Sequence, residues 1–267
     1  MRKRVVLLLA ILLIFALFFI SKSNLVGPGI DAPVFVKSLI YSEDMDVNLN
    51  YIAPRGFDKS VEKVQIQNAP KGIDCVVYGE EKEPKGKYTI GTVNIGVNCD
   101  YWSDETGIGQ DLKINEILVT WSDGSQTTES IGRITVAGRN MQDNSYMNIT
   151  GHDGIKKATY TLTKDTEITG IAYPYKDEVL SLFSNITINQ IPLGDISKSS
   201  SVKLKKNEQC ILEYQVNDES ESQYGNIRIR GFLMGNSSKS EEKIASFIWD
   251  KKFDFNEAGD YLKKQSL

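Results

Sequence analysis

Two patterns of hydrophobic and polar positions divide this chain. Residues 5–20 form an unbroken run of sixteen apolar side chains, preceded by Arg2, Lys3 and Arg4. From residue 33 onward, apolar and polar side chains mostly alternate in segments of strand length, with clusters of Gly, Pro, Asn, Asp and Ser between them. The pattern predicts an N-terminal transmembrane helix within residues 1–22 and an all-β remainder.

The apolar run is intermediate in length between a membrane anchor and a signal peptide. It is shorter than the roughly 20 residues that cross a hydrocarbon core, yet it exceeds the usual signal-peptide h-region of about 7 to 15. No Ala-x-Ala site follows it, which favours a retained anchor that contacts the membrane through residues 5–20. The alternative is secretion after cleavage near Ser23. In both cases the basic residues before the run place the chain after about residue 23 outside the cytoplasm.

Turn signals at regular spacing predict the fold of the exported part. Val93, Ile95 and Val97 alternate with polar residues, as on a half-buried strand. Asp123-Gly124 lies between two β-rich segments and predicts a hairpin, because glycine accepts a positive φ. About seven strands precede the polar segment 137–145, which we interpret as a domain boundary. The predicted order is a spacer at 23–32, β-sandwich domains at 33–138 and 146–252, and a frayed tail at 253–267.

Two segments within these domains are defined by local composition. Residues 80–86 are polar and contain Pro84 and Gly86, which predicts a hairpin loop or a solvated excursion. Residues 180–191 are predicted to form a long strand of the second domain, bounded by Pro174 and Pro192.

Part of the second half has the strand order and spacing of a known class of module. Residues 186–191 and 202–214 give a strand, a short polar link and a long strand that enters the core. This stretch resembles bacterial immunoglobulin-like sandwich modules. The resemblance implies that both tandem domains are immunoglobulin-like, and it assigns no function, because such folds host many.

The exported part is acidic. The whole chain has a net charge of −4, and removal of residues 1–22 takes away four cations and no acid, which leaves −8. Such a surface repels nucleic acid and anionic headgroups, so the charge argues against a nucleic-acid partner.

Three cysteines bear on the redox state of the exported part. Cys75, Cys99 and Cys210 are an odd number, so at most one pair can form within the chain. Alternation places Cys99 on the face of Val97 and Cys75 on the face of Ile73, and both thiols then point into one core. We predict a Cys75–Cys99 disulfide. The alternative is that all three are buried free thiols, which Cys210 fits well.

The residue types of nucleophilic and zinc enzymes are scarce. The one histidine, His152, lies in a glycine-flanked loop, and no Gly-x-Ser-x-Gly motif accompanies it. The cysteines are too far apart for the usual zinc spacings. We therefore predict a non-enzymatic protein without catalytic residues.

An acidic loop is the main candidate for a ligand site. Residues 100–111 combine carboxylates with two glycines, and calcium prefers such hard oxygen ligands. The loop departs from EF-hand spacing, so solvation of a strand connection competes with calcium binding as its explanation. Tyr101 and Trp102 are candidates for stacking on a sugar or a partner side chain, unless they are buried. The candidate calcium ligands are Asp100, Asp104, Glu105 and Asp111.

These patterns favour a membrane-anchored, extracytoplasmic binding or assembly module of bacterial cell-surface type, without enzymatic activity and without a required cofactor. Its expected partner, beyond the membrane itself, is a protein or a cell-wall glycan. The alternative is a secreted, calcium-assisted domain that binds glycans or hydrolyses them with two carboxylates.

Overall fold

A computed structural model describes residues 28–42, 45–70, 72–99, 111–137, 145–152, 154–197, 200–217, 223–236 and 241–265. The structure is 64% strand and 10% helix, which confirms the all-β prediction. Within these ranges no helix combines the length and the apolar character needed to span a membrane. The predicted membrane segment, residues 5–20, lies outside them.

Seventeen strands and two short α-helices make up the described part. The first strands are β1 (Val34–Phe35), β2 (Ser38–Ser42), β3 (Asp46–Pro54), β4 (Val61–Ile66), β5 (Ile73–Lys85), β6 (Tyr88–Cys99), β7 (Leu112–Trp121) and β8 (Gln126–Val136). The others are β9 (Asn148–His152), β10 (Ile155–Thr161), β11 (Thr166–Ala172), β12 (Phe183–Ile188), β13 (Ile191–Pro192), β14 (Val202–Leu204), β15 (Gln209–Val216), β16 (Asn226–Asn236) and β17 (Glu241–Lys251). The helices are α1 (Lys176–Leu182) and α2 (Ala258–Gln265).

The strands form three sheets. Sheet A has the order β1-β3-β6-β5, and sheet C has the order β13-β12-β15-β10-β9. Sheet B is the largest, with the order β14-β11-β16-β2-β8-β7-β4 and with β17 also paired to β16. One core lies between sheet A and sheet B, and a second lies between sheet B and sheet C. We call them the A–B core and the B–C core.

Strand β2 joins the two halves of sheet B. It pairs in parallel with β8 on one side and with β16 on the other. Its Ile40 belongs to the A–B core, whereas Leu39 belongs to the B–C core. Because successive side chains of a strand point to opposite faces, sheets A and C cover opposite faces of sheet B at this strand.

The A–B core contains the alternating residues that the sequence predicts. Val93, Ile95 and Val97 are buried with exposed fractions of 0%, 1% and 2%. The hairpin at Asp123-Gly124 is also confirmed, since it joins β7 to β8 and Gly124 has a φ of 79°. The Asp123 carboxylate accepts a hydrogen bond from the Ser125 backbone N–H (3.0 Å), which closes the turn.

Helix α1 covers the face of β2 and β8 that points away from sheet A. The Tyr175 hydroxyl hydrogen-bonds with the Thr135 hydroxyl, and Arg133 forms an ion pair with Glu178. The strand predicted over residues 180–191 was wrong at its start, because the chain stays helical to Leu182. Val179 and Leu182 lie on one side of this helix and are buried in the B–C core.

Helix α2 packs on the outer face of sheet A. Ala258, Tyr261 and Leu262 are buried in a third core with Ile52 and Ile90. The backbone N–H of Lys37 donates a hydrogen bond to the Tyr261 hydroxyl (2.8 Å). The expectation of a frayed terminus was therefore wrong for residues 253–265.

The loop predicted at residues 80–86 was too long, because strand β5 continues to Lys85 and only Gly86 and Lys87 form the hairpin turn into β6. Strand β5 is at the edge of sheet A, where Pro84 costs no hydrogen bond because its missing N–H can face away from β6. The polar side chains are also satisfied. Glu80 accepts a hydrogen bond from the Tyr51 hydroxyl (2.6 Å), and its carboxylate lies 3.4 Å from the Lys82 ammonium.

Candidate ligand-binding cleft

A cleft of about 700 Å³ opens where sheet A meets strands β16 and β17 of sheet B. Apolar side chains such as Ile40 and Ile248 line part of it, and polar groups line the rest. Both halves of the chain contribute to it. Its polar lining includes Asp46, Asn48, Asn50, Thr92, Lys156, Asn226, Arg228, Asp250, Lys251 and Lys252.

Strand β3 supplies the acidic and amide side chains of one wall. Val47, Leu49 and Tyr51 point into the A–B core, so the alternate residues lie on the outer face of sheet A. Helix α2 covers Ile52 at one end of that face. Asp46, Asn48 and Asn50 lie beyond it and line the cleft.

A chain of hydrogen bonds fixes the amide groups of the cleft. Asn226 Nδ2 donates to Asn50 Oδ1 (2.9 Å), and Asn50 Nδ2 donates to Thr92 Oγ1 (2.8 Å). The backbone N–H of Phe253 donates to Asn226 Oδ1 (3.0 Å), which connects the segment after β17 to the same chain. Asn50 is only 8% exposed, so its amide is held in one orientation.

The charged side chains of the cleft carry more positive than negative charge. The lining contains four cations (Lys156, Arg228, Lys251 and Lys252) and two carboxylates (Asp46 and Asp250). Lys156 Nζ lies 3.8 Å from an Asp250 carboxylate oxygen, and Arg228 faces Asp250 in the register of β16 and β17. Among the described residues, the lining therefore carries two more positive than negative charges.

Aromatic rings border the cleft on the side of helix α2. The Phe253 and Phe255 rings both line it, with their centroids 5.9 Å apart. The Phe253 ring also contacts Tyr261, at a centroid distance of 5.4 Å. Burial raises the pKa of Tyr261 to about 12, although the Lys37 N–H opposes this shift. Tyr261 therefore stays protonated at neutral pH and supports the rings as a neutral group.

A further aromatic side chain lies on the same face of sheet A. Tyr78 is 68% exposed, and its ring lies against the backbone of Gly96. A Cβ atom at Gly96 would come within 2.4 Å of that ring, so only glycine allows this contact. Tyr78 and the neighbouring Val76, 44% exposed, extend the outer face beyond Asp46.

The residues predicted to bind calcium stay largely untested. Asp100, Tyr101, Trp102, Asp104 and Glu105 lie outside the described residues. Asp111 is exposed and directly precedes β7. In the described part of the chain, no group of three or more His, Cys, Asp or Glu side chains is arranged to hold a metal ion.

The register of sheet A bears on the predicted Cys75–Cys99 disulfide without deciding it. Cys75 lies opposite Val97 and Cys99 lies opposite Ile73, so the two positions are diagonal neighbours on adjacent strands. The disulfide stays a prediction. Cys210 is fully buried in the B–C core, as its alternation predicts, and burial raises the pKa of its thiol to about 12.

The sequence contains a signal for this cleft that the predicted sites did not include. Asp and Asn are depleted in strands, yet Asp46, Asn48 and Asn50 occupy alternate positions of β3. Such a row on the outer face of a strand indicates a face kept for polar contacts. Asn226 and Asp250 carried no comparable signal, because only the fold brings them to the same cleft.

Comparisons with known proteins leave the family open. No protein-family model matches the chain, and no curated protein matches it. One of the solved structures that match is the crystal structure of a protein of unknown function from Porphyromonas gingivalis W83, with 8% identity and a TM-score of 0.24. The match covers 82% of this chain and 96% of the other. At that TM-score it carries no argument about fold or function.

Proposed function

We propose that this chain is a non-enzymatic binding or assembly module of bacterial cell-surface type, held at the outer face of the membrane by residues 5–20. Its two halves act as tandem immunoglobulin-like sandwiches that share sheet B, and the ligand binds in the cleft between them. The observation that carries the proposal is the cleft itself, since it is about 700 Å³ in volume and both halves line it.

The chemistry of the cleft suits binding. Its amides are held by hydrogen bonds before any ligand arrives, so little entropy is lost when they are used. Cations, carboxylates and aromatic rings surround them. Such a lining gives orientation and specificity to a bound ligand.

One contact supports a position close to the membrane. The Tyr88 hydroxyl donates a hydrogen bond to the carbonyl oxygen of Pro28 (2.7 Å), on the outer face of sheet A beside helix α2. Only residues 21–27 separate Pro28 from the predicted membrane segment, and seven residues reach at most about 25 Å. An anchored chain therefore keeps this face, and the cleft beside it, near the bilayer.

Site-specific photo-crosslinking in native cells tests the proposal. The photoreactive residue benzoylphenylalanine is placed in the cleft as Asn48→benzoylphenylalanine, and on strand β14 as Lys203→benzoylphenylalanine. Lys203 is a matched control, because its side chain is 83% exposed and lies outside the cleft. We expect an adduct of discrete mass from position 48 alone, in the membrane fraction.

Two results would count against this function. Equal adduct patterns from both positions would mean that the cleft binds no preferred ligand. Recovery of the chain in the culture medium, with an N-terminus near Ser23, would overturn the anchor and leave a secreted binder.

A further inference from the structure

We infer that the ligand of this module is a neutral glycan, a sugar chain without carboxylate or phosphate groups, and that it contacts the outer face of sheet A beside the cleft. The inference rests on the proposed binding function and specifies its ligand. The residues that carry it are Asp46, Asn48, Asn94 and Tyr78, which we call the sheet A platform. Asp46 and Asn48 also line the cleft, so the platform continues the cleft along the sheet.

The register of sheet A brings the residues of the platform together. Asn48 lies opposite Asn94, and Asp46 lies opposite Gly96. Opposite side chains of an antiparallel pair are about 5 Å apart at Cβ, and the next position on the same face is about 7 Å along the strand. The Tyr78 ring lies against Gly96, so it is one row of side chains away from the two amides.

Two amides and a carboxylate provide hydrogen-bonding groups that the fold does not use. In the described part of the chain, the side chains of Asp46, Asn48 and Asn94 make no hydrogen bond or ion pair. Each amide offers two donor hydrogens and an acceptor oxygen, and the carboxylate offers two acceptor oxygens. Sugar hydroxyl groups both donate and accept, so they satisfy this mixed set, whereas an apolar ligand would leave it unsatisfied.

The Tyr78 ring supplies an apolar surface beside these polar groups. It is 68% exposed although it contacts Gly96, and the neighbouring Val76 is 44% exposed. Sugar rings present C–H groups on their faces and hydroxyl groups at their edges. A sugar ring that stacks on Tyr78 therefore directs hydroxyl groups towards the amides in the next row of the sheet.

The charge of the platform favours a neutral sugar. The segments 46–50, 73–79 and 92–98, which form this part of sheet A, contain Asp46 and Asp74 and no Lys or Arg. Carboxylate or phosphate groups on a glycan would be repelled by these two side chains, whereas hydroxyl groups can donate hydrogen bonds to them.

The neighbouring charges do not reverse this preference. Glu43 and Asp44, which shortly precede β3 in the sequence, are also acids. The cations of the cleft come from β10, β16 and the end of β17, and not from sheet A. A sugar chain held on Tyr78 therefore meets acids and amides before it meets any cation of the cleft.

Calorimetric titration of the full-length chain with three pairs of probes tests the inference. The neutral probes are cellohexaose, laminarihexaose and mannohexaose, and each is paired with its oxidised form, in which the primary hydroxyl groups have become carboxylates. The protein is kept in a zwitterionic detergent, so that no detergent sugar competes. We expect at least one neutral probe to bind with a dissociation constant below about 1 mM, and its oxidised form to bind about threefold or more weakly.

Variants assign the binding to the platform. Tyr78→Ala should weaken binding of the neutral probe about tenfold or more. Asn48→Ala and Asn94→Ala should each weaken it about fivefold, because each removes a hydrogen-bonding group. The matched control is Asn148→Ala, which removes an exposed strand amide outside the platform and should change nothing.

Gly96→Ala tests the position of the ring without removing any group that contacts the sugar. A Cβ atom there would lie 2.4 Å from the Tyr78 ring, so the ring must move. We expect this variant to weaken binding in the native background and to have little further effect in Tyr78→Ala, where no ring is displaced. Equal losses in both backgrounds would overturn the role of Tyr78.

The inference and the proposed function fail in different assays. Absence of binding by all three neutral probes, or equal or tighter binding of the oxidised forms, overturns the neutral glycan. If the adduct formed at position 48 is a protein, the binding module stands and the glycan is rejected. If no neutral probe binds and no adduct forms at that position, both are rejected.

Discussion

At the scale of single residues, Gly132 lies opposite Ser38, where β8 pairs with β2. Its φ is +90°, and a Cβ atom there would lie 2.4 Å from the Ser38 carbonyl oxygen. We expect Gly132→Ala to lower the free energy of unfolding by about 3 kcal/mol or more, because it combines backbone strain with a clash against backbone atoms. Urea unfolding of the purified variant measures this loss.

Gly124 provides the matched control. Its φ of +79° is similar, but no atom lies within 4 Å of the added Cβ. Gly124→Ala should therefore cost only the strain of the turn, about 1 kcal/mol. Equal losses for the two variants would show that the contact between Gly132 and Ser38 is not tight in solution.

The buried thiol of Cys210 makes stability depend on alkaline pH. Burial raises its pKa from 9.0 to about 12, so between these values the thiol ionises in the unfolded chain but not in the folded one. The contribution of this thiol to the free energy of unfolding should be constant below pH 9. Between pH 9 and 12 it should fall by about 1.4 kcal/mol per pH unit. Cys210→Ala should make the slope of unfolding free energy against pH shallower by about 1.4 kcal/mol per pH unit in this range.

The comparison of slopes separates this effect from the cavity that alanine leaves. A cavity lowers stability by the same amount at every pH, whereas the thiol changes the slope. Tyr214 and Tyr261 also have raised pKa values and contribute in both proteins. Identical slopes would mean that the Cys210 thiol ionises as easily in the folded protein as in the unfolded chain.

At the scale of secondary structure, the alternation of apolar and polar residues predicted burial correctly. Polar composition instead predicted a loop in residues that continue a strand. Val93, Ile95 and Val97 alternate over a long strand, and burial follows that alternation. The polar composition of residues 80–86 indicated a loop, yet pairing with β6 continues the strand to Lys85. Helix α1 was missed because its seven residues hold too few turns to establish a helical period.

A buried hydrogen bond helps to hold helix α2 on the rest of the chain. The buried Tyr261 hydroxyl accepts from the Lys37 N–H, so Tyr261→Phe leaves a backbone donor without its acceptor. We expect a loss of about 1 to 2 kcal/mol in the free energy of unfolding, measured by chemical denaturation. The control is Tyr78→Phe, at a position 68% exposed, which should change stability by less than about 0.5 kcal/mol. Equal effects would mean that α2 does not rely on this bond.

At the scale of the whole molecule, the shared sheet B couples the two cores. Leu39 and Ile40 are neighbours on β2 and belong to different cores, so neither core can lose β2 alone. We expect a single unfolding transition in scanning calorimetry, with equal calorimetric and van't Hoff enthalpies. Independent tandem domains would instead give two transitions, because each would melt at its own temperature.

The sharing of sheet B could not be predicted from the sequence. The sequence predicted strands on both sides of segment 137–145, but a parallel pair between β2 and β16 leaves no local pattern in either strand. The only trace is that adjacent residues Leu39 and Ile40 are both apolar, as in strands buried on both faces. For the same reason the cleft could be anticipated only in part, through the polar row on β3, and its other wall depends on this long-range pairing.

The distant pairing of β2 also sets the order in which an exported chain can fold. Ser38 and Asn226 are neighbours across β2 and β16, yet they are 188 residues apart in the sequence. A chain that crosses the membrane with β2 emerging early must keep that strand unpaired on its β16 side until nearly the whole polypeptide has followed. The first half then leaves the translocation channel with an open sheet edge, which invites aggregation. If the chain is exported as proposed, its export should therefore depend on a chaperone that shields unpaired strands outside the membrane.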